Sequence, residues 1–275
     1  MKRMCWQNAI LALAAALSAV AVGLLYLFIL LEGRLFWQQK GFPSFLFAAR
    51  LGSDGCYVLP LLAGSLAVAL VAVCIASPFA LAVAAFASEY ASPTARGVLE
   101  QALAFLSSIP AVVWGLAGLI FLVPRLAIFD AGFSLLTGAV SLAVLIFPTV
   151  ARRAQAELLA VPKNCRAAAE ALGATTWQTA KNIVLPQAKA GILAAVVLGL
   201  REALSDTMIV LMLTGNLAEI PRSLTSSVRT VTAAAALEQP GAAGLQRSAV
   251  FAACALLLLL TAVLTLLAKR LGRAA

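Results

Sequence analysis

An all-α integral membrane protein with six spanning helices is the fold class this sequence predicts, and three features predict it. Apolar residues make up 63% of the 275-residue chain and charged residues only 11%, against about 25% charged in ordinary soluble domains. Several apolar runs exceed the roughly 20 residues with which a helix crosses about 30 Å of hydrocarbon. The runs are continuous Ala, Leu and Val rather than alternating, which excludes a β-barrel. In hydrocarbon an unpaired backbone polar group is too costly, so each span has to be helical.

The spans are taken in chain order. The first, 9–31, follows Lys2 and Arg3; it is longer than a signal-peptide core of about 7–15 residues and no A-x-A site follows it, so it reads as uncleaved. The others are 58–87, 102–123, 133–151, 191–213 and 249–268, all within one transmembrane domain, 1–275. Pro78, Pro110, Pro124 and Pro148 fall inside or at the ends of spans and are read as shaping helices. Gly115 and Gly118 are read as close-packing positions, and Trp6, Trp37 and Trp114 as interfacial anchors. With the N-terminus inside, twelve Lys and Arg fall in inner segments and seven in outer ones, which predicts both termini in the cytoplasm.

That asymmetry also accounts for the net charge of +9, since no basic-aromatic patch for nucleic acid is present. The five cysteines are scattered, and only Cys56 falls outside, so no external intrachain disulfide is available. Enzymatic readings find no residues to carry them. The chain has no histidine for a Ser/His pair. Of its aspartates, Asp54 and Asp130 fall in outer loops, leaving Asp206 alone for aspartyl chemistry. No catalytic or metal-ligating set is predicted. A secondary transporter working alone would show more spans and an inverted repeat, and none is visible.

The one sizeable inner loop, 152–190, reads "RRAQAELLAVPKNCRAAAEALGATTWQTAKNIVLPQAKA". It is too short for a soluble domain, and no GxxxxGK[ST] pattern occurs anywhere, so any energy source is external. Pro162 suits a helix start and Gly173 a left-handed C-cap. Thr175 or Thr176 can cap a second short helix, Trp177 to Leu185, stopped by Pro186, with Trp177 packing the knob so formed. Composition alone leaves open a rigid knob or an ordinary amphipathic loop.

The segment "AAAEALGATTWQTAKNIVLP" resembles the EAA loop of ABC importer permeases, patterned E-A-A-x-x-x-G with I-x-L-P nine residues further on. Ala168, Ala169, Gly173, Ile183, Leu185 and Pro186 hold that spacing; the motif's glutamate is replaced by Ala167, and the nearest acid is Glu170. The stretches "ASEYASPTARGVLE", "SSIPAVVWGL", "LLTGAVSLAVLIFPTVARRAQAELLAVP" and "DTMIVLMLTGN" resemble the PstC branch of phosphate importer permeases. The resemblance implies a type I permease that pairs with a PstA-like second permease. Two copies of a PstB-like cytoplasmic ATPase, which alone binds ATP, would dock on the EAA knobs. A PstS-like extracytoplasmic binding protein would deliver phosphate; the same machinery also serves other oxyanions such as molybdate, tungstate or sulfate. The chain itself would hold no cofactor.

Arg201, Glu202, Ser205, Asp206 and Thr207 put charges inside the fifth span. Charge at that depth costs several kcal/mol, from roughly 3 to above 10, so such residues face a protein interior or a pathway. On a continuous helix Glu202 and Asp206 share one face, with Ser205 between them and Arg201 on its flank. Three readings stand: a translocation or gating site, an ion-pair lock between subunits, or a cluster nearer the interface than the hydropathy implies. Two carboxylates beside one arginine repel an anion, so a second subunit supplies cations or one carboxylate is protonated. PstC-like sequences read R-A-[LI]-G-E-T; here Glu202 stands at the arginine's place and Asp206 at the glutamate's, with the arginine one residue earlier.

Overall fold

The computed structural model describes residues 2–47, 58–128, 131–238 and 244–273. Asp54, Cys56 and Asp130 lie outside the described residues, as do the side chains of Cys5 and Trp6. The helices in order are α1 (Lys2–Phe47), α2 (Val58–Glu89), α3 (Pro93–Ser108), α4 (Ala111–Ala117), α5 (Val123–Ala127), α6 (Leu135–Ala160), α7 (Lys163–Ala171) and α8 (Thr176–Thr179). They continue with α9 (Leu185–Ser205), α10 (Met208–Leu213), α11 (Val231–Glu238) and α12 (Gly244–Arg273). Wide π turns at Gly118–Leu122 and Ala180–Val184 join α4 to α5 and α8 to α9.

Five helical stretches among the described residues are long and apolar enough to cross a membrane: Ile10–Gln38, Val58–Glu89, Leu135–Ala160, Thr176–Ser205 and Arg247–Gly272. The third predicted span, 102–123, is not one straight helix. Pro93–Ser108 and Ala111–Ala127 meet at 87°. Ile109, pushed out of the helical region by the proline that follows it, is extended at φ −72°, ψ 123°, and α4 starts afresh after Pro110. Counted as one broken span, this pair is the sixth.

Spans four and five outrun their predicted ends. α6 continues nine residues past Ala151, because "RRAQAELLA" is helix-forming sequence with Ala154 and Leu158 fully covered. The helix that starts at Thr176 passes straight through Pro186, where a stop was expected. The Leu185 N–H reaches back five residues to Ala180 O, and this widened turn makes room for the proline ring. Pro78 and Pro148 likewise sit inside α2 and α6.

The core is built on methyl groups. Along α2, Ala69, Ala72, Ala76, Ala80, Ala84 and Ala87 are all at most 3% exposed, and their helical spacing forms one seam, which meets Ala139, Ala143, Ala151 and Ala154 of α6. α2 and α6 make the most extensive helix pair. Small residues permit such close approach where lipid offers no hydrophobic drive. Gly115 and Gly118 pack closely as expected: an added Cβ would come within 2.8 Å of Met212 and 2.5 Å of Leu213. Trp114 leans on the main core, its indole N–H buried without a partner among the described residues. α1 lies against α12, with Gly33 on Ala252 and the Phe36 N–H on Ser248 Oγ at 2.9 Å.

Candidate functional site

The predicted span 191–213 is broken at the charged cluster. α9 ends at Ser205, and Asp206 is extended at φ −70°, ψ 140°. Its Oδ2 accepts the Ile209 N–H at 2.9 Å, starting α10. A short acid competes with the helix for local N–H groups, which is why the chain breaks here. The shared face expected for Glu202 and Asp206 therefore does not exist. Replacing Asp206 by Ala should lower stability by about 0.5–2 kcal/mol, with Asn close to wild type, since an amide oxygen still caps. Melting in detergent checks this; equal values for Ala and wild type would remove the cap from the account.

The five residues separate accordingly. Glu202 is half-buried, with the Thr149 hydroxyl, near the middle of α6, as its polar neighbour. Asp206 joins Ser65, Thr230 and Thr232 around a narrow polar seam among α2, α9 and α11. Thr232 donates to Asp206 O at 2.9 Å, and Ser65 Oγ accepts the Val231 N–H, also at 2.9 Å, at the start of α11. Thr207 is half-buried at the break. Arg201 and Ser205 are exposed, on a side of α9 that also carries Leu193 and that no other described residue covers. Ser205 donates to Arg201 O at 2.9 Å, which occupies its hydroxyl locally.

Ser65, Thr149, Thr230 and Thr232 were not singled out in the sequence. A lone hydroxyl within an apolar run carries no pattern, so only the fold brings Ser65, Thr230 and Thr232 to Asp206 and Thr149 to Glu202. The segment after α10 returns along the bundle: Gly215 and Asn216 are both left-handed (φ 80° and 55°), and Val228 N–H bonds Thr214 O at 2.8 Å. Gly-Asn suits that reversal.

At the opposite end, where α2 finishes, α7 and α8 form the expected knob. Pro162 precedes α7, and Gly173 (φ 80°) turns the chain, with its N–H on Glu170 O at 2.9 Å and the Ala174 N–H on Ala169 O at 3.0 Å. Thr175 and Gln178 form a reciprocal capping box. Ala169 is buried, whereas Ala168, Glu170 and Gly173 are exposed. Ile183 and Leu185 are half-buried and Pro186 is exposed. Trp177 does not pack the knob; it is 61% exposed and Leu172 89%, because α8 turns Thr179 and Ala180 inward instead. Arg166 ties the knob down through a 2.9 Å ion pair with Glu89, which raises the arginine's pKa above its ordinary value.

Residues 76–275 match the family described as "Binding-protein-dependent transport system inner membrane component". The chain belongs to that family. It is 38% identical over 184 residues to the probable ABC transporter permease protein YqgH of Bacillus subtilis (strain 168), covering 66% of this chain and 60% of that one. It is 30% identical over 234 residues to the phosphate transport system permease protein PstC of Haemophilus influenzae (strain ATCC 51907 / DSM 11121 / KW20 / Rd), covering 77% of this chain and 74% of that one. Its fold is that of type I ABC importer permeases. A crystal structure of a bacterial ABC transporter that imports the acidic polysaccharide alginate superposes with a TM-score of 0.66 at 15% identity, over 98% of this chain and 96% of that one. The protein is thus a multi-pass inner-membrane transport component resembling PstC.

Proposed function

We propose that this chain is one permease subunit of an ATP-driven, binding-protein-dependent importer, forming half of the pathway for inorganic phosphate. The observation that carries the reading is Arg201: a permanently charged guanidinium within a membrane span, on a face that the other described residues leave uncovered. Such a charge needs a partner. A second, PstA-like permease closing over that face would turn it into a channel wall, where the planar fork can hold two phosphate oxygens. Glu202, Asp206, Ser205 and Thr207 line or brace this wall, and a carboxylate there can accept a hydrogen bond from a protonated phosphate. No step of covalent chemistry is assigned to the chain.

The α7–α8 knob is the docking point for a PstB-like ATPase, of which two copies serve the paired permeases. Its end of the bundle carries Arg96, Arg152, Arg153, Lys163, Arg166 and Lys181, and this basic cluster supports a cytoplasmic side for the knob and both termini. Exposed Leu172 and Trp177 flank Ala168 and Glu170 as the surface to be covered. A PstS-like protein delivers substrate on the other side. Gly173→Val meets no neighbour within 4 Å, but forces a β-branched residue into left-handed backbone at about 1–2 kcal/mol. The expected result is a membrane-inserted chain that no longer copurifies an ATPase; normal copurification would remove the docking role.

Uptake of labelled phosphate by the reconstituted complex, with and without ATP, tests the function. A second reading, another oxyanion such as molybdate, tungstate or sulfate, is favoured by the one-residue displacement of the arginine relative to PstC-like sequences. Competition by each unlabelled anion separates the two.

A further inference from the structure

We propose that Arg166 is the positioning residue through which movement of the knob reaches the corner between α2 and α3. The inference rests on α7 being the ATPase-docking helix. Arg166 lies in α7, and its guanidinium ties that helix to two others at once. Nε and Nη2 form a fork on the Glu89 carboxylate at 3.1 and 2.9 Å. Nη1 donates to Val161 O at 2.7 Å and Nη2 to Leu158 O at 2.8 Å, at the end of α6. The Glu89 side chain is 5% exposed and that of Arg166 19%. Pulling such a pair apart strands a buried charge, so α7, α6 and α2 move as one body rather than separately.

The connection continues. Glu89 is the last residue of α2, and the two preceding carbonyls, Ala87 O and Ser88 O, accept from Arg96 Nε and Nη2 at 2.7 and 2.9 Å. Arg96 belongs to the first turns of α3, the helix that leads into the 87° bend at Ile109–Pro110. Displacement of α7 thereby reaches the broken span through two arginine clamps, with no other charged pair among the described residues bridging α7 to α2. Lysine at either position would keep the charge but not the fork.

The test uses the full complex in proteoliposomes: this chain, its second permease, the ATPase and the binding protein. ATP hydrolysis and uptake are read in the same vesicles with labelled phosphate, and with labelled sulfate and molybdate if phosphate does not move. Glu89→Gln, Arg166→Gln, Arg96→Gln and the Glu89/Arg166 double variant are expected to keep the ATPase bound and hydrolysing within about twofold, while uptake per ATP falls about tenfold. The double variant should be no worse than either single, because one clamp can be lost only once. Arg166→Lys should recover part of the loss. Should Glu89→Gln not reach the membrane, Arg96→Gln, which frees only backbone carbonyls, tests the same path. An unchanged ratio in every variant, additive losses, or release of the ATPase would each overturn the proposal, release meaning that the pair merely shapes the docking surface. A wild-type complex with no bound ATPase would instead overturn the importer reading, and this inference with it.

Discussion

Arg201→Ala is expected to lower ATP-driven uptake by about tenfold to a hundredfold, the loss of one charge-assisted hydrogen bond at about 1.5–3 kcal/mol. Assembly should survive, because Arg201 is exposed and holds no side-chain hydrogen bond or ion pair among the described residues beyond its proximity to Glu202. Arg201→Lys should fall between, retaining charge without the planar fork. The control is copurification of the second permease. If the complex dissociates in Arg201→Ala, the arginine is an intersubunit lock; if it assembles and transports normally, the residue lies off the pathway.

Gly64→Val is expected to be strongly destabilising at the end of the bundle where α2 begins. A Cβ at Gly64 would come 2.5 Å from Arg229 O, and 3.5 Å from Val228 Cβ. The obstacle is backbone, which cannot swing aside as a side chain end would. Overpacking of this kind costs about 1–3 kcal/mol, and pushing the 214–230 segment away would also break the Ser65–Val231 hydrogen bond, about 1 kcal/mol more. Melting of the purified protein should drop by several degrees, with Gly64→Ala showing a smaller drop and protease reaching residues 214–230 sooner in both. An unchanged melting point and digestion pattern would mean that this segment is not seated on α2.

The spans were legible because hydropathy over about 20 residues is a strong signal, and the knob was legible because Gly173 and Thr175 are turn and cap residues at a fixed spacing. Span ends were not, since α6 and the α8–α9 helix continue as amphipathic stalks after the apolar signal fades. The bend at Ile109 was readable from the proline after it, whereas helix continuation through Pro186 depends on a π turn that no residue type announces. At the charged cluster, the residue types drew attention correctly but their geometry was hidden. Asp206 is as good a cap as it is a pathway acid, and only the backbone decides which N–H it meets. Glu89 and Arg166 lie 77 residues apart; nothing in one sequence pairs them.

The alanine seam between α2 and α6 has a mechanical consequence. Helices that interlock through Leu or Phe must lift those side chains over one another, changing rotamers, before they can shift. Alanine has no rotamer to change, so a seam of methyl groups acts like a greased rail: it keeps the two helices at a fixed separation while resisting axial sliding only weakly. Enlarging a single tread, as in Ala76→Leu, would act as a wedge, forcing the two helices apart at about 1–3 kcal/mol and slowing any cycle that depends on shear.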